Sequence, residues 1–151
     1  YRVIDYIEDN RKSIDHYVRV IQSKPYVFER HYLPHDGRHA NLATGKTIQE
    51  IVEGFGLRVE IVPQIGIDNG INAVRMAMPN VWIDENKCKE GIKALEYYHY
   101  ETDKNGNRRN IPAHDWSSHG CDAFRYMAVA FKESVKHKPI KKAYVQHGWM
   151  G

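Results

Sequence analysis

The chain has 151 residues, 42% of them hydrophobic, 11% aromatic and 27% charged, with 22 Lys and Arg against 19 Asp and Glu for a formal net charge of +3. That length suits one domain and is short for two, and apolar residues spread along the whole sequence argue against disorder. No window approaches the ~18 consecutive apolar residues of a membrane span, and a pI near 8.8 is only mildly basic. The two cysteines, Cys88 and Cys121, cannot build a disulfide framework or a paired-cysteine zinc site. With no signal peptide they read as reduced thiols of a cytosolic protein. The sequence opens at Tyr1 directly into a strand-like run, which reads as the C-terminal piece of a larger protein.

In chain order, residues 1–8 place apolar side chains on both faces, the pattern of a strand covered on both sides. Asp9 and Asn10 break it. Ser13 then N-caps a predicted helix whose Ile14, Tyr17, Val18 and Ile21 share one face, and Pro25 ends it. Residues 26–33 read as a second strand stopped by Pro34. After a polar loop over 35–45, Thr47 and Glu50 form a capping box for a helix carrying Ile48, Ile51, Val52 and Phe55, with Gly56 as its C-terminal cap.

Residues 57–62 alternate as a strand until Pro63. Asp68 or Asn69 opens a short helix through Ile71, Val74 and Met78, closed by Pro79, and 81–84 is a short strand. Cys88, Gly91, Ile92 and Leu95 mark a helix running to about Tyr98. The segment 100–111 contains Asn105-Gly106, a hairpin-turn signal. Cys121, Phe124, Ala128, Phe131 and Val135 define a long last helix. The order β-α-β-α-β-α-β-α-hairpin-α is that of an α/β fold with a partly parallel sheet and helices on its faces. It occupies 1–135, and a basic tail fills 136–151.

Gly45-Lys46-Thr47 resembles the end of a phosphate-binding loop, but Ala40 stands where that pattern needs a glycine. A helix start explains these residues, and no nucleotide site is assigned to them. The pairs His35-Asp36 and His114-Asp115, with His16 and Asp122, resemble HD-type metal-dependent phosphohydrolases, in which imidazole and carboxylate hold divalent ions. That family is all-helical, whereas at least four strand signals are present here.

Asp36 lies just past Pro34 at the end of a strand, where open α/β sheets place their ligands. Asp122 lies in the first turns of the last helix, whose dipole favours the ionised carboxylate. Each alone is an ordinary turn or helix-start acid. Converging on one sheet edge, the two would suit Mg²⁺ or Mn²⁺, hard ions that prefer oxygen ligands and promote phosphodiester hydrolysis.

Leu33-Pro34-His35-Asp36, Gly70-Ile71-Asn72-Ala73-Val74-Arg75 and, most specifically, the run from His114-Asp115-Trp116-Ser117-Ser118 through His119-Gly120-Cys121-Asp122 to Ala123-Phe124-Arg125-Tyr126 resemble the nuclease domain of tailed-phage large terminase subunits. The resemblance runs from Tyr1 to about Phe131 in the family's order. It implies a ribonuclease H-like mixed sheet flanked by helices, and an endonuclease that cuts concatemeric double-stranded DNA during genome packaging. It also implies an upstream ATPase domain, a small terminase subunit and a portal as partners, no membrane, and a place in the host cytoplasm.

Three acids around two Mg²⁺ or Mn²⁺ ions serve the family's reaction. Asp36 matches the second and Asp122 the third, as catalytic and metal-binding residues. The first acid belongs to a central strand that would precede Tyr1, so the resemblance implies a domain lacking its first strand and a fragment that is inactive alone. Asp5 and Asp9 fall on the following strand and turn and are not assigned to that role. His119 and Arg125, each about one helical turn from Asp122, are supporting residues that orient a water or ion and hold Asp122 ionised, with His35 beside Asp36.

Trp116 is expected as a core anchor. Lys104, Arg108 and Arg109 on the hairpin are expected to contact DNA phosphates. Lys132, Lys136, Lys138, Lys141 and Lys142 form a second basic cluster towards the tail. A non-catalytic DNA- or protein-docking remnant of the same domain is the alternative reading.

Overall fold

A computed structural model describes residues 1–40 and 44–136, with side chains of the last helix described as far as Phe131. The basic tail over 137–151 lies outside the described residues. The elements are β1 (Arg2–Val3), α1 (Ile14–Ser23), β2 (His31–Leu33), α2 (Ile48–Gly54), β3 (Val59–Ile61), α3 (Ile67–Ala77), β4 (Trp82–Ile83), α4 (Lys89–Tyr97), β5 (Tyr100–Thr102), β6 (Arg108–Pro112) and α5 (Ser118–Lys136). Short 3₁₀ turns follow β2 at His35–Arg38 and α3 at Met78–Asn80. The architecture is mixed α/β, and among the described residues no helix is long and apolar enough to cross a membrane.

Local chemistry sets the helix ends. Thr47 and Glu50 make the reciprocal capping box of α2, each side chain bonding the other's backbone N–H. Gly56 follows α2 with φ +80°, a left-handed conformation that costs a glycine little, and bonds the Glu53 carbonyl. Gly106 holds φ +81° at the tip of the β5–β6 hairpin, where Asp103 gathers the backbone N–H groups of Asn105 and Asn107.

The strands are shorter than the alternation predicts. Of 1–8 only Arg2–Val3 is strand, and of 26–33 only His31–Leu33. Hydrogen bonds also divide the strands into three two-stranded pieces instead of one sheet. Two are parallel: β1 beside β4, with Arg2 opposite Trp82, and β2 beside β3, with Tyr32 opposite Glu60. The third is the antiparallel β5–β6 hairpin.

The core lies where α5 packs on α3. Val62, Ala73, Ala128, Val129 and Ala130 are buried together, flanked by Tyr32, Val74 and Tyr126. Small residues dominate that seam, so the two helices approach closely. Trp116 is not a core anchor. It is 52% exposed and lies against the ring of Tyr97 at 5.2 Å, because it falls in the turn before α5 instead of on the buried stripe.

Two cavities lie along α5. One is walled by Val3 and Ile83 of β1 and β4, another by Tyr32 and Pro34 at the end of β2, and both have Ala123 and Met127 in their floor. The two cavities thus adjoin over the same stretch of α5, one beside each pair. β1 and β2 each have one ladder edge without a partner among the described residues.

Candidate active site

Pro34 stops β2, and the chain turns at once through His35–Arg38, which carries Asp36 out of the strand. Gly37 pins that turn to the sheet: a Cβ there would lie 3.2 Å from Leu33 Cβ and 3.4 Å from Ile61 Cδ1. The Gly37 N–H donates to the Pro34 carbonyl at 2.9 Å. Asp36 itself is exposed, and among the described residues no hydrogen bond or ion pair engages its carboxylate.

The start of α5 is fixed by Asp115. Its Oδ1 accepts from the Ser117 N–H at 2.9 Å and from the Ser117 hydroxyl at 2.6 Å, while its carbonyl accepts from the Ser118 N–H and hydroxyl. The Ser117 hydroxyl and N–H hold the Asp115 carboxyl below the usual range, and the four bonds together leave the buried Ser117 and Ser118 without orphaned side-chain polar atoms. Asp122 follows in the next turn of the helix. Arg125 donates to Asp122 Oδ1 at 2.8 Å.

Asp36, His119, Asp122 and Arg125, with Tyr126, line one cleft of about 530 Å³ between the end of β2 and the first turns of α5. His35 joins from outside, its Nδ1 lying 3.0 Å from the Tyr126 hydroxyl. Burial pushes that phenol's pKa up. His119 is exposed and meets His114 edge to face at 5.6 Å. The sequence reading thus identified the carboxylates and their neighbours but gave Tyr126 no role. Its aromatic character two residues short of the buried Ala128 was the available signal for a residue spanning core and cleft.

The two carboxylates are the oxygen donors a hard divalent cation uses. They are too few to complete a metal centre: among the described residues no group of three or more His, Cys, Asp or Glu side chains is placed to hold an ion. The paired His-Asp motifs do not converge on such a group either, and Asp115 is engaged in capping α5.

Asp5 and Asp9 are committed elsewhere, to Lys24 at 2.8 Å and to His16 at 2.7 Å. The thiols of Cys88 and Cys121 are free and buried, and burial pushes Cys121 up to about 11. On the hairpin, Arg108 stacks over Tyr100 at 3.9 Å and Arg109 pairs with Glu101 at 2.8 Å. Lys104 is exposed near the turn. Fold and cleft together define a mixed α/β protein in which an acid after a strand end and an acid of the last helix line one cleft. Comparison with protein-family models, with curated proteins and with solved structures finds no match.

Proposed function

We propose that the chain is the nuclease domain of a tailed-phage large terminase subunit, a metal-dependent endonuclease cutting concatemeric double-stranded DNA, whose ribonuclease H-like sheet is completed by a strand upstream of Tyr1. The observation that carries this reading is the meeting of Asp36 and Asp122, distant in sequence, in one cleft. These are the positions that the resemblance assigns to ligands of Mg²⁺ or Mn²⁺. The two cavities over α5 support the missing strand, because one lies beside each parallel pair and each pair keeps unpaired edges among the described residues. A strand seated there would bring the first acid to the same cleft.

Asp36 and Asp122, with the first acid of the upstream strand, would hold the ions, which would supply Lewis-acid chemistry for phosphodiester hydrolysis. The residues of this chain do the positioning. Arg125 holds Asp122 in place through its 2.8 Å hydrogen bond, His119 stands at the cleft to orient water, and Lys104, Arg108 and Arg109 meet DNA phosphates. The setting is the host cytoplasm, with the ATPase domain, the small terminase subunit and the portal as partners.

Plasmid nicking with Mn²⁺ tests this, comparing the 151-residue chain with one extended upstream by a strand. Nicking by the extended chain, lost in Asp36→Asn and Asp122→Asn variants that still fold, is the expected result. An extended chain that folds, binds DNA in a salt-sensitive way and never cuts would overturn it in favour of a docking remnant.

A further inference from the structure

Arg125 borders a second cavity, about 270 Å³, bounded by α3, α4, α5 and the first residue of β5. Its walls divide by chemistry. Ile71, Met78 and Leu95 supply aliphatic surface, and Tyr98 and Tyr100 supply aromatic surface. The charged residues are Arg75 and Arg125, with His99 beside them and no carboxylate in the lining. Arg75 is exposed and makes no ion pair among the described residues. Arg125 spends Nη2 on Asp122, but its Nε–H is buried with no hydrogen-bond partner. Two guanidinium side chains bordering one cavity, with no carboxylate in its lining, favour an anion there.

The ligand must therefore carry a negative group for the arginines and a flat apolar body for the tyrosine and aliphatic walls. We propose that this cavity holds a single nucleotide, its phosphate on Arg75 and Arg125 and its base against Tyr98 and Tyr100, a ligand class chosen on the nucleic-acid reading of the neighbouring cleft. Guanidinium groups match phosphate geometry, and bases pack on aromatic side chains regardless of sequence. Tyr100 links the cavity to the hairpin, because Arg108 covers its ring. A DNA strand lying along the hairpin can therefore deliver an unstacked nucleotide to the same place that a free mononucleotide would enter.

Calorimetric titration of the 151-residue chain with dAMP, without added metal, reads the cavity apart from any cleavage. Saturable binding is expected, weakened about tenfold or more by Arg75→Ala. Met78→Trp, which fills the cavity from a position 39% exposed, is expected to abolish it. Thermal unfolding of each variant confirms that it folds, and either one that folds carries the test.

Displacement of dAMP by a short single-stranded oligonucleotide supports the site with DNA as its source. Failure to displace it supports the site with a free nucleotide as its source. Absence of dAMP binding, binding indifferent to both substitutions, or competition by inorganic phosphate as effective as dAMP itself would each overturn the assignment. Asp36 and Asp122 lie outside this lining, so an inactive extended chain that still binds dAMP removes the nuclease reading alone, and an active one that ignores dAMP removes this site alone.

Discussion

Arg125 donates its Nη2–H to Asp122 at 2.8 Å from a side chain that is only 14% exposed, and its stem lies in the space left by Gly70 on α3. A Cβ at position 70 would stand 2.5 Å from Arg125 Cδ and 2.7 Å from Cγ. Those are mid-stem atoms, so the whole arginine must move to admit a methyl group. The glycine of one helix thus sets the position of a charge beside the acid of another.

Gly70→Ala is therefore expected to lose about 1–3 kcal/mol of stability through overpacking, although alanine is the better helix former. Gly54→Ala, in α2 with nothing within 4 Å of the new methyl, is expected to gain up to about 1 kcal/mol. Urea unfolding of the two variants checks the contrast. Equal stabilisation by both would remove Gly70 as the spacer for Arg125.

Arg125→Met keeps most of the packed stem and deletes the charge. In the upstream-extended chain it is expected to lower Mn²⁺-dependent nicking about 10–100-fold, the range for residues that orient a metal ligand. Asp122→Asn is expected to cost more, because under the proposed function it replaces a metal ligand itself. A nicking rate for Arg125→Met equal to that of the parent would leave the arginine as packing only.

The helices and turns were legible in the sequence because their signals are local. The Thr47–Glu50 box, Gly56 and the Asn105-Gly106 tip need only a few residues to specify themselves. The strands were not, because strand length depends on a partner. The run over 1–8 ends as a strand after Val3, where Asp5 turns to Lys24 and Tyr6 enters the space between α4 and α5. Gly91 and Gly120 admit that tyrosine: a Cβ at Gly91 would meet its ring at 2.8 Å, and one at Gly120 its hydroxyl at 2.5 Å. Nothing in the alternation of apolar residues announces such a contact. The placing of Asp36 and Asp122 on one cleft was legible through motif and strand-end position, while Tyr126 and the cavity behind Arg125 depend on tertiary packing of α3 against α5.

His31 gives a pH dependence of known sign. Its Nε2 is buried without a partner, and burial holds its pKa below the ordinary 6.5. As pH falls below ~6.5 the unfolded chain takes up a proton that the folded chain resists, so this contribution is complete above that pH and is lost on the way down to the folded value. His31→Phe, which keeps a ring beside Phe28 at that position, is expected to reduce the loss of stability between about pH 7.5 and about pH 5.5. Urea midpoints of both proteins at the two pH values decide it, and an undiminished decline in the variant would place the titration on other histidines.

Asp115 is a structural acid, distinct from the Asp36 and Asp122 pair proposed as catalytic. Its carboxylate bonds Ser117 twice at the entrance of α5, which lowers its pKa, so its contribution is present above the unfolded carboxylate range and disappears as pH falls through the folded value. Asp115→Ala is expected to lower the thermal midpoint at neutral pH, whereas Asp115→Asn, which can still cap the helix, keeps most of it. Nicking by the extended chain should survive in Asp115→Asn, because this carboxylate lies outside the cleft that holds Asp36 and Asp122. The opposite pattern, full stability with cleavage abolished, would move Asp115 into the catalytic set and restore the paired His-Asp reading of His114-Asp115.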